Sequence, residues 1–186
     1  MEKTLYTFII FSENTAGVLN EITSVFARRQ VNIESLNTSA SSIEGIHRYT
    51  LTCLCSEEIA RKSTKQIAKK IGVVRCNFYK ENEIFIEEVA LFKISTEKLL
   101  AHADISKAIR LHDGSIVEVN PVYAIVSLVA MTDEIKSLYN ALSQFDCIFQ
   151  FVRSGAIAIT KNKREYLSEY LDDKLKRYEE QQRKTK

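Results

Sequence analysis

ENTAGVLNEITSVFARRQVNIESL, residues Glu13 to Leu36, decides how the rest of the chain is read. Val18, Leu19, Ile22, Val25 and Phe26 recur there at helical spacing, against a polar face of Asn20, Glu21, Thr23, Ser24 and Arg28. That pattern predicts an amphipathic helix. Asn14, Thr15, Ala16 and Gly17 precede the helix. Asn and Thr are capping residues, and a glycine lets another molecule approach the backbone closely. The unpaired amides of a helix start attract an anion such as a carboxylate. Gln30 to Leu36 leaves the helix as an extended segment with a polar Asn32 among apolar neighbours. A loop suited to a carboxylate, followed by a strand with a side-chain amide, points to an amino-acid site. Ordinary helix capping is the competing reading of Asn14 to Gly17.

Outward from this stretch, Leu5 to Phe11 is an apolar, β-branched run, a strand covered on both faces. A second strand is expected from Val31 to Ala40, with a turn at Ser41, Ser42, Glu44 and Gly45. Ile46 to Leu54 alternates as a strand, with Tyr49, Leu51 and Cys53 on one face. Ser56 caps the next helix, which carries Glu57 and Glu58 in its first turn, Lys69 and Lys70 in its last, and Gly72 just beyond. Its inner stripe is Ile59, Ala60, Ser63, Ile67 and Ile71. Val73 to Tyr79 is a strand. The order β-α-β-β-α-β is the ferredoxin-like pattern.

The same order then recurs. Ile84 to Ile94 is a long strand with an expected bulge at Glu87 and Glu88, and Glu97 to Leu111 is helical. Asp113-Gly114 turns into Ile116 to Val119, and Asn120-Pro121 separates that strand from Tyr123 to Ala130. Thr132 caps a helix with Ile135, Leu138, Leu142 and Phe145 inward. Cys147 to Val152 is a strand, with another short one at Ala156 to Ile159. Beyond Lys163, Tyr166, Leu167, Tyr170, Leu171, Leu175 and Tyr178 fall at helical spacing in a charged tail. The expected architecture is therefore α+β. It comprises two consecutive ferredoxin-like modules, residues 1–80 and 81–160, and a helical tail, 161–186.

Composition narrows the function. The chain has 186 residues, 45% of them apolar, enough for buried cores. Its net charge is +2. The tail's nine basic and six acidic residues contribute +3 and the rest about −1, so the body is not a basic nucleic-acid binder. The middle strand Ile46 to Leu54 offers Arg48 and Tyr49 but not the basic-aromatic pattern of an RNA-binding module. The start, MEKTLYTFIIF, does not read as a signal peptide, and no run reaches the length of a membrane span. A cytoplasmic protein with neither nucleic-acid nor membrane partners is expected. Cys53, Cys55, Cys76 and Cys147 include no C-x-x-C pair and read as reduced core thiols. His47, His102 and His112 are scattered, and no phosphate-binding glycine motif occurs, so no catalytic or metal site is expected.

The opening stretch resembles the ACT domain, and the chain is similar to the small regulatory subunits of acetolactate synthase. Glu13, Asn14, Gly17 and Leu19 match that family's Glu-Asn-x-x-Gly-x-Leu motif, and Asn32-Ile33-Glu34-Ser35-Leu36 matches its second motif unchanged. The likeness extends through Glu88 to Ile94, Ile116 to Val119 and Val152 to Gly155, about residues 4 to 160. It departs at Ala16, where the family often has Pro or Ser, and at Gln30-Val31, where it has glycine and an aromatic residue. The resemblance implies a non-catalytic subunit that binds a branched-chain amino acid, with valine the expected effector, for feedback inhibition. Asn14, Ala16, Gly17, Val18 and Leu19 would hold the effector's backbone ends, with Asn32 and Ile33 closing the site from a second ACT module in a homodimer. It further implies a catalytic large-subunit partner, activated when no effector is bound. That partner would carry the thiamine diphosphate, Mg²⁺ and FAD of the reaction, with no cofactor in this chain.

Overall fold

A computed structural model describes residues 3–161. Strand β1 (Thr4–Glu13) is buried without interruption from Tyr6 to Ser12, because both of its faces are covered. Tyr6, Phe8 and Ile10 face helices α1 (Val18–Ala27) and α2 (Glu57–Ile67), joining Val18, Ile22, Val25, Phe26, Ala60 and Ile67 in one core. Strands β2 (Ile33–Ala40), β3 (Ile46–Cys55) and β4 (Val73–Tyr79) complete an antiparallel sheet in the order β2-β3-β1-β4. β2 lies at its edge.

Strand β5 (Ile84–Ser95) starts the second unit and serves two layers. Its first half pairs with β9 (Ile157–Thr160), and this two-stranded ribbon lies over the face of the first sheet opposite the helices. Ile84 and Ala158 meet Ile9 and Phe11 there, and Ile46, Val74, Tyr79 and Ile86 pack around them. From Glu88 on, β5 becomes the centre of a second sheet with β6 (Ser115–Val119), β7 (Tyr123–Ala130) and β8 (Ile148–Arg153), in the order β6-β7-β5-β8. Helices α3 (Thr96–Ala101), α4 (Ala103–Leu111) and α5 (Thr132–Ser143) cover one face of it. Phe92 and Ile94 pack there with Ile105, Ile109, Ile135, Leu138 and Leu142. Two β-α-β-β-α-β units are present, as the sequence pattern implies.

Several local expectations change. The bulge at Glu87 and Glu88 does not form. Ile84, Ile86, Glu88, Ala90, Phe92 and Ile94 keep one alternation, and β5 changes partners at that point instead. The single helix over Glu97 to Leu111 is broken at His102, whose backbone is extended. The break turns Leu99 inward with Ile105 and Ile109, while Leu100 is left exposed. Thr132 does not cap α5. Its hydroxyl donates to Glu88 Oε1 at 2.5 Å, and the Met131 amide donates to Glu134 instead. Ile71 is 95% exposed, because α2 ends before it. Leu19 also leaves the predicted apolar stripe and is 40% exposed. The tail helix expected after Lys163 lies outside the described residues.

Candidate functional site

The loop from Asn14 to Gly17 sits at the end of β1 and is pinned from two sides. The Glu13 amide donates to the Gly72 carbonyl at 2.8 Å, and the Asn14 amide to the Gly45 carbonyl at 3.1 Å. Asn14 and Thr15 do not cap α1. Gly17 occupies the cap position with φ +91°, a left-handed conformation natural to glycine, and no side chain closes the helix start. The Val18 amide turns back to the Thr15 carbonyl at 3.4 Å, and the Glu21 amide takes the Gly17 carbonyl at 3.0 Å. The Leu19 and Asn20 amides find no backbone acceptor among the described residues. Two donors at a positive helix end suit a carboxylate. Nothing stands within 4 Å of where a Gly17 side chain would project, so the backbone is open to an approaching group.

Ala16 and Asn14 are exposed, Val18 is buried in the core and Leu19 stands half-open beside the helix start. The base of the helix is braced by Lys70, whose ammonium donates to Glu21 at 2.5 Å. That hydrogen bond, chiefly, holds the Glu21 carboxyl below its ordinary range.

Asn32 and Ile33 lie elsewhere. α1 ends in a left-handed turn at Gln30 (φ +53°), closed by a Val31 amide to Phe26 carbonyl bond of 3.1 Å. Asn32 follows, exposed, and Ile33 opens β2, packed against the first core. Ile33 pairs with Cys53, whereas Glu13, next to the loop, pairs with Ile46 at the other end of β3. The seven residue steps from Ile46 to Cys53 span about 23 Å at a strand rise of about 3.3 Å per residue. One chain therefore does not bring the two halves of the predicted site together. Asn14, Ala16, Gly17 and Asn32 are exposed, and Asn32–Ile33 leads into the edge strand β2, where another chain can add.

Gly45 and Gly72 (φ +76° and +81°) are legible in the sequence as turn and helix-end glycines, but not as neighbours of Asn14. Nor does residue order separate Ser35 from the residues before it. β2 carries one extra residue at Glu34, since Ile33 pairs with Cys53 and Ser35 with Thr52. The bulge turns Ser35 to the face opposite Ile33, where its hydroxyl meets Thr52 Oγ1 at 2.7 Å.

Two family models match. One, described as the AHAS small subunit-like ACT domain, covers residues 8–75, and the other, the small subunit of acetolactate synthase, covers residues 87–162. The chain belongs to the acetolactate synthase small-subunit family. A small subunit from Haemophilus influenzae is 25% identical over 163 residues, 85% of this chain and 96% of that one. Another, from Mycobacterium leprae, is 26% identical over 159 residues, 86% of this chain and 93% of that one. The crystal structure of the Thermotoga maritima small subunit has the same fold (TM-score 0.77, 21% identity), covering 86% of this chain and 99% of that one. In the first unit, the sheet face that an RNA-binding module would use lies under the β5–β9 strand pair, where Arg48 donates to the Ala158 carbonyl. Among the described residues no helix is long and apolar enough to cross a membrane, and no group of three or more potential metal ligands forms.

Proposed function

We propose that this chain is the non-catalytic regulatory subunit that binds a branched-chain amino acid, valine, between the ACT modules of two copies. The helix-start amides of Leu19 and Asn20 take the carboxylate, and the Asn14 carboxamide lies beside them. Asn32 of the second copy accepts from the ammonium, and Leu19 and Ile33 border the branched side chain. A homodimer formed along β2 supplies the second half of the site. Occupancy inhibits a catalytic large subunit, and the unliganded dimer raises that subunit's activity. Thiamine diphosphate, Mg²⁺ and FAD belong to the catalytic subunit.

The observation that carries this reading is the separation of the loop from Asn32 and Ile33 by about 23 Å, with Gly17 and Asn32 both exposed. Residues that jointly bind one small molecule at that distance must come from two copies. Calorimetric titration with valine, leucine and isoleucine, with lysine as control, tests it, on the chain alone and with its catalytic partner. Saturable binding of a branched-chain amino acid, lost in Asn14→Ala, is expected. No binding of any of them in either preparation would overturn it.

A further inference from the structure

The effector-facing end of β2 continues into the junction between the two units. Ser35, two residues beyond Ile33, stands on the outer face of the first sheet. There the backbone turn that joins β8 to β9 comes down on it. The Ala156 amide donates to Ser35 Oγ at 3.5 Å, and a side chain at Gly155 would stand 3.4 Å from Ser35 Cβ and 3.9 Å from the Leu36 backbone. Gly155 has φ +78° and passes close over β2 without a side chain in the way.

The other side of this turn is tied to β5. The Ser154 amide donates to the Val89 carbonyl at 2.9 Å, and Ser154 Oγ accepts from the Val89 amide at 3.0 Å. Val89 lies where β5 has left the first layer and joined the second sheet. A continuous set of contacts thus runs from Ile33 through the bulge to Ser35, then to Ala156, Ser154 and Val89.

The surroundings leave this connection room to move. A groove of about 420 Å³, open to solvent, separates β2 from β8 beside it, lined by Glu34, Leu36, Glu88 and Arg153 among others. The bulge is the deformable element of β2, because its extra residue is not held in the ladder.

We propose that the Glu34 bulge and the Ser35–Ala156 contact couple effector occupancy at Asn32–Ile33 to the placement of the second unit. The inference rests on the effector reading above. An effector that draws Ile33 toward a second copy pulls on the bulge. Ser35 then carries the displacement into the Ser154–Ala156 turn and β5. Ser35 and Ser154 are positioning residues with no contact to the effector.

The test uses Ser35→Ala, Ser35→Thr and Ser154→Ala in complex with the catalytic subunit. Valine binding is measured by calorimetry, and activity with and without saturating valine. The alanine variants should bind valine and activate the catalytic subunit as the parent chain does. Their inhibition by saturating valine should weaken by roughly 2- to 10-fold, the equivalent of one lost hydrogen bond. Ser35→Thr, which keeps the hydroxyl, should restore inhibition. Full inhibition in both alanine variants, with valine bound, would overturn the coupling. Failure of the parent chain to bind valine would overturn the effector reading instead, and the calorimetric arm tells the two apart.

Discussion

Ile33 and Ser35 are two residues apart on one strand, yet Ile33 packs on the helix side of the sheet and Ser35 against Thr52 on the other. In a regular strand, residues i and i+2 share a face. The extra residue at Glu34 makes the switch. Deleting Glu34 would leave Ile33 and Ser35 adjacent, opposite the adjacent Cys53 and Thr52, so a regular ladder would keep Ile33 inward and Ser35 under the β8–β9 turn. We expect the deletion to change the stability of the first unit by less than about 1 kcal/mol, since it removes an unpaired residue and exposes no core side chain. Glu34→Ala should cost little, since the backbone bulge remains. Urea unfolding followed by circular dichroism checks both, and a midpoint far below the parent's for the deletion would refute the assignment of Glu34 as the extra residue.

Gln30 holds φ +53° at the end of α1, a conformation that costs an L-residue roughly 1–2 kcal/mol and glycine almost nothing. The bond from Val31 N–H to the Phe26 carbonyl keeps it there. Gln30→Gly should therefore stabilise the protein by about 0.5–1 kcal/mol, after allowing for the greater freedom of glycine in the unfolded chain. Equilibrium denaturation reads this directly. A loss of stability would show that the Gln30 side chain contributes contacts that outweigh the strain.

Much of this architecture was legible in residue order. The alternation of Tyr49, Leu51 and Cys53, the stripe of Ile22, Val25 and Phe26 and the Ser56 cap each act within a few residues, and each appears as read. The apolar run from Leu5 to Phe11 announced a strand covered on both faces, but not by what. Ile84 and Ala158 lie far from Ile9 and Phe11 in sequence, and no local pattern links them. Glu87 and Glu88 looked like a break in alternation because a glutamate reads as outward. Glu88 instead faces inward, bonded to Thr132 and 3.4 Å from Arg153. At the candidate site, Asn14, Gly17 and Asn32 stood out by residue type. Their separation along β3 did not, because it depends on strand register.

The four thiols supply an independent check on packing. Cys53, Cys55, Cys76 and Cys147 are all buried, and burial pushes each thiol up, that of Cys76 to about 12. Only the thiolate is nucleophilic, so at pH 8 roughly one part in ten thousand of a thiol at that value is reactive. Native protein should react with a disulfide reagent over hours, and all four thiols within minutes in denaturant. Reactivity rises with pH as the thiolate fraction grows. A rapid stoichiometric reaction in the native state would mean that one of these core strands is open to solvent.

The two-copy site makes a prediction that a one-copy site does not. Gly17→Asp puts a carboxylate and added bulk where the effector's carboxylate is proposed to sit. The space there is open, and Asp is among the residues that best tolerate a left-handed backbone, so the fold should survive. Asn32→Ala removes the acceptor proposed for the ammonium, in the other half. Each variant alone should bind no valine. In a twofold dimer each of the two sites takes one half from each copy. A heterodimer of the two variants then has both defects in one site and an intact second site. Unfolding and refolding an equal mixture gives random pairing, half of the dimers mixed, and should restore about a quarter of the parent's valine sites. Calorimetric stoichiometry measures that fraction. If the mixture stays silent while each variant remains folded and dimeric, the two halves belong to one copy and the shared site is wrong.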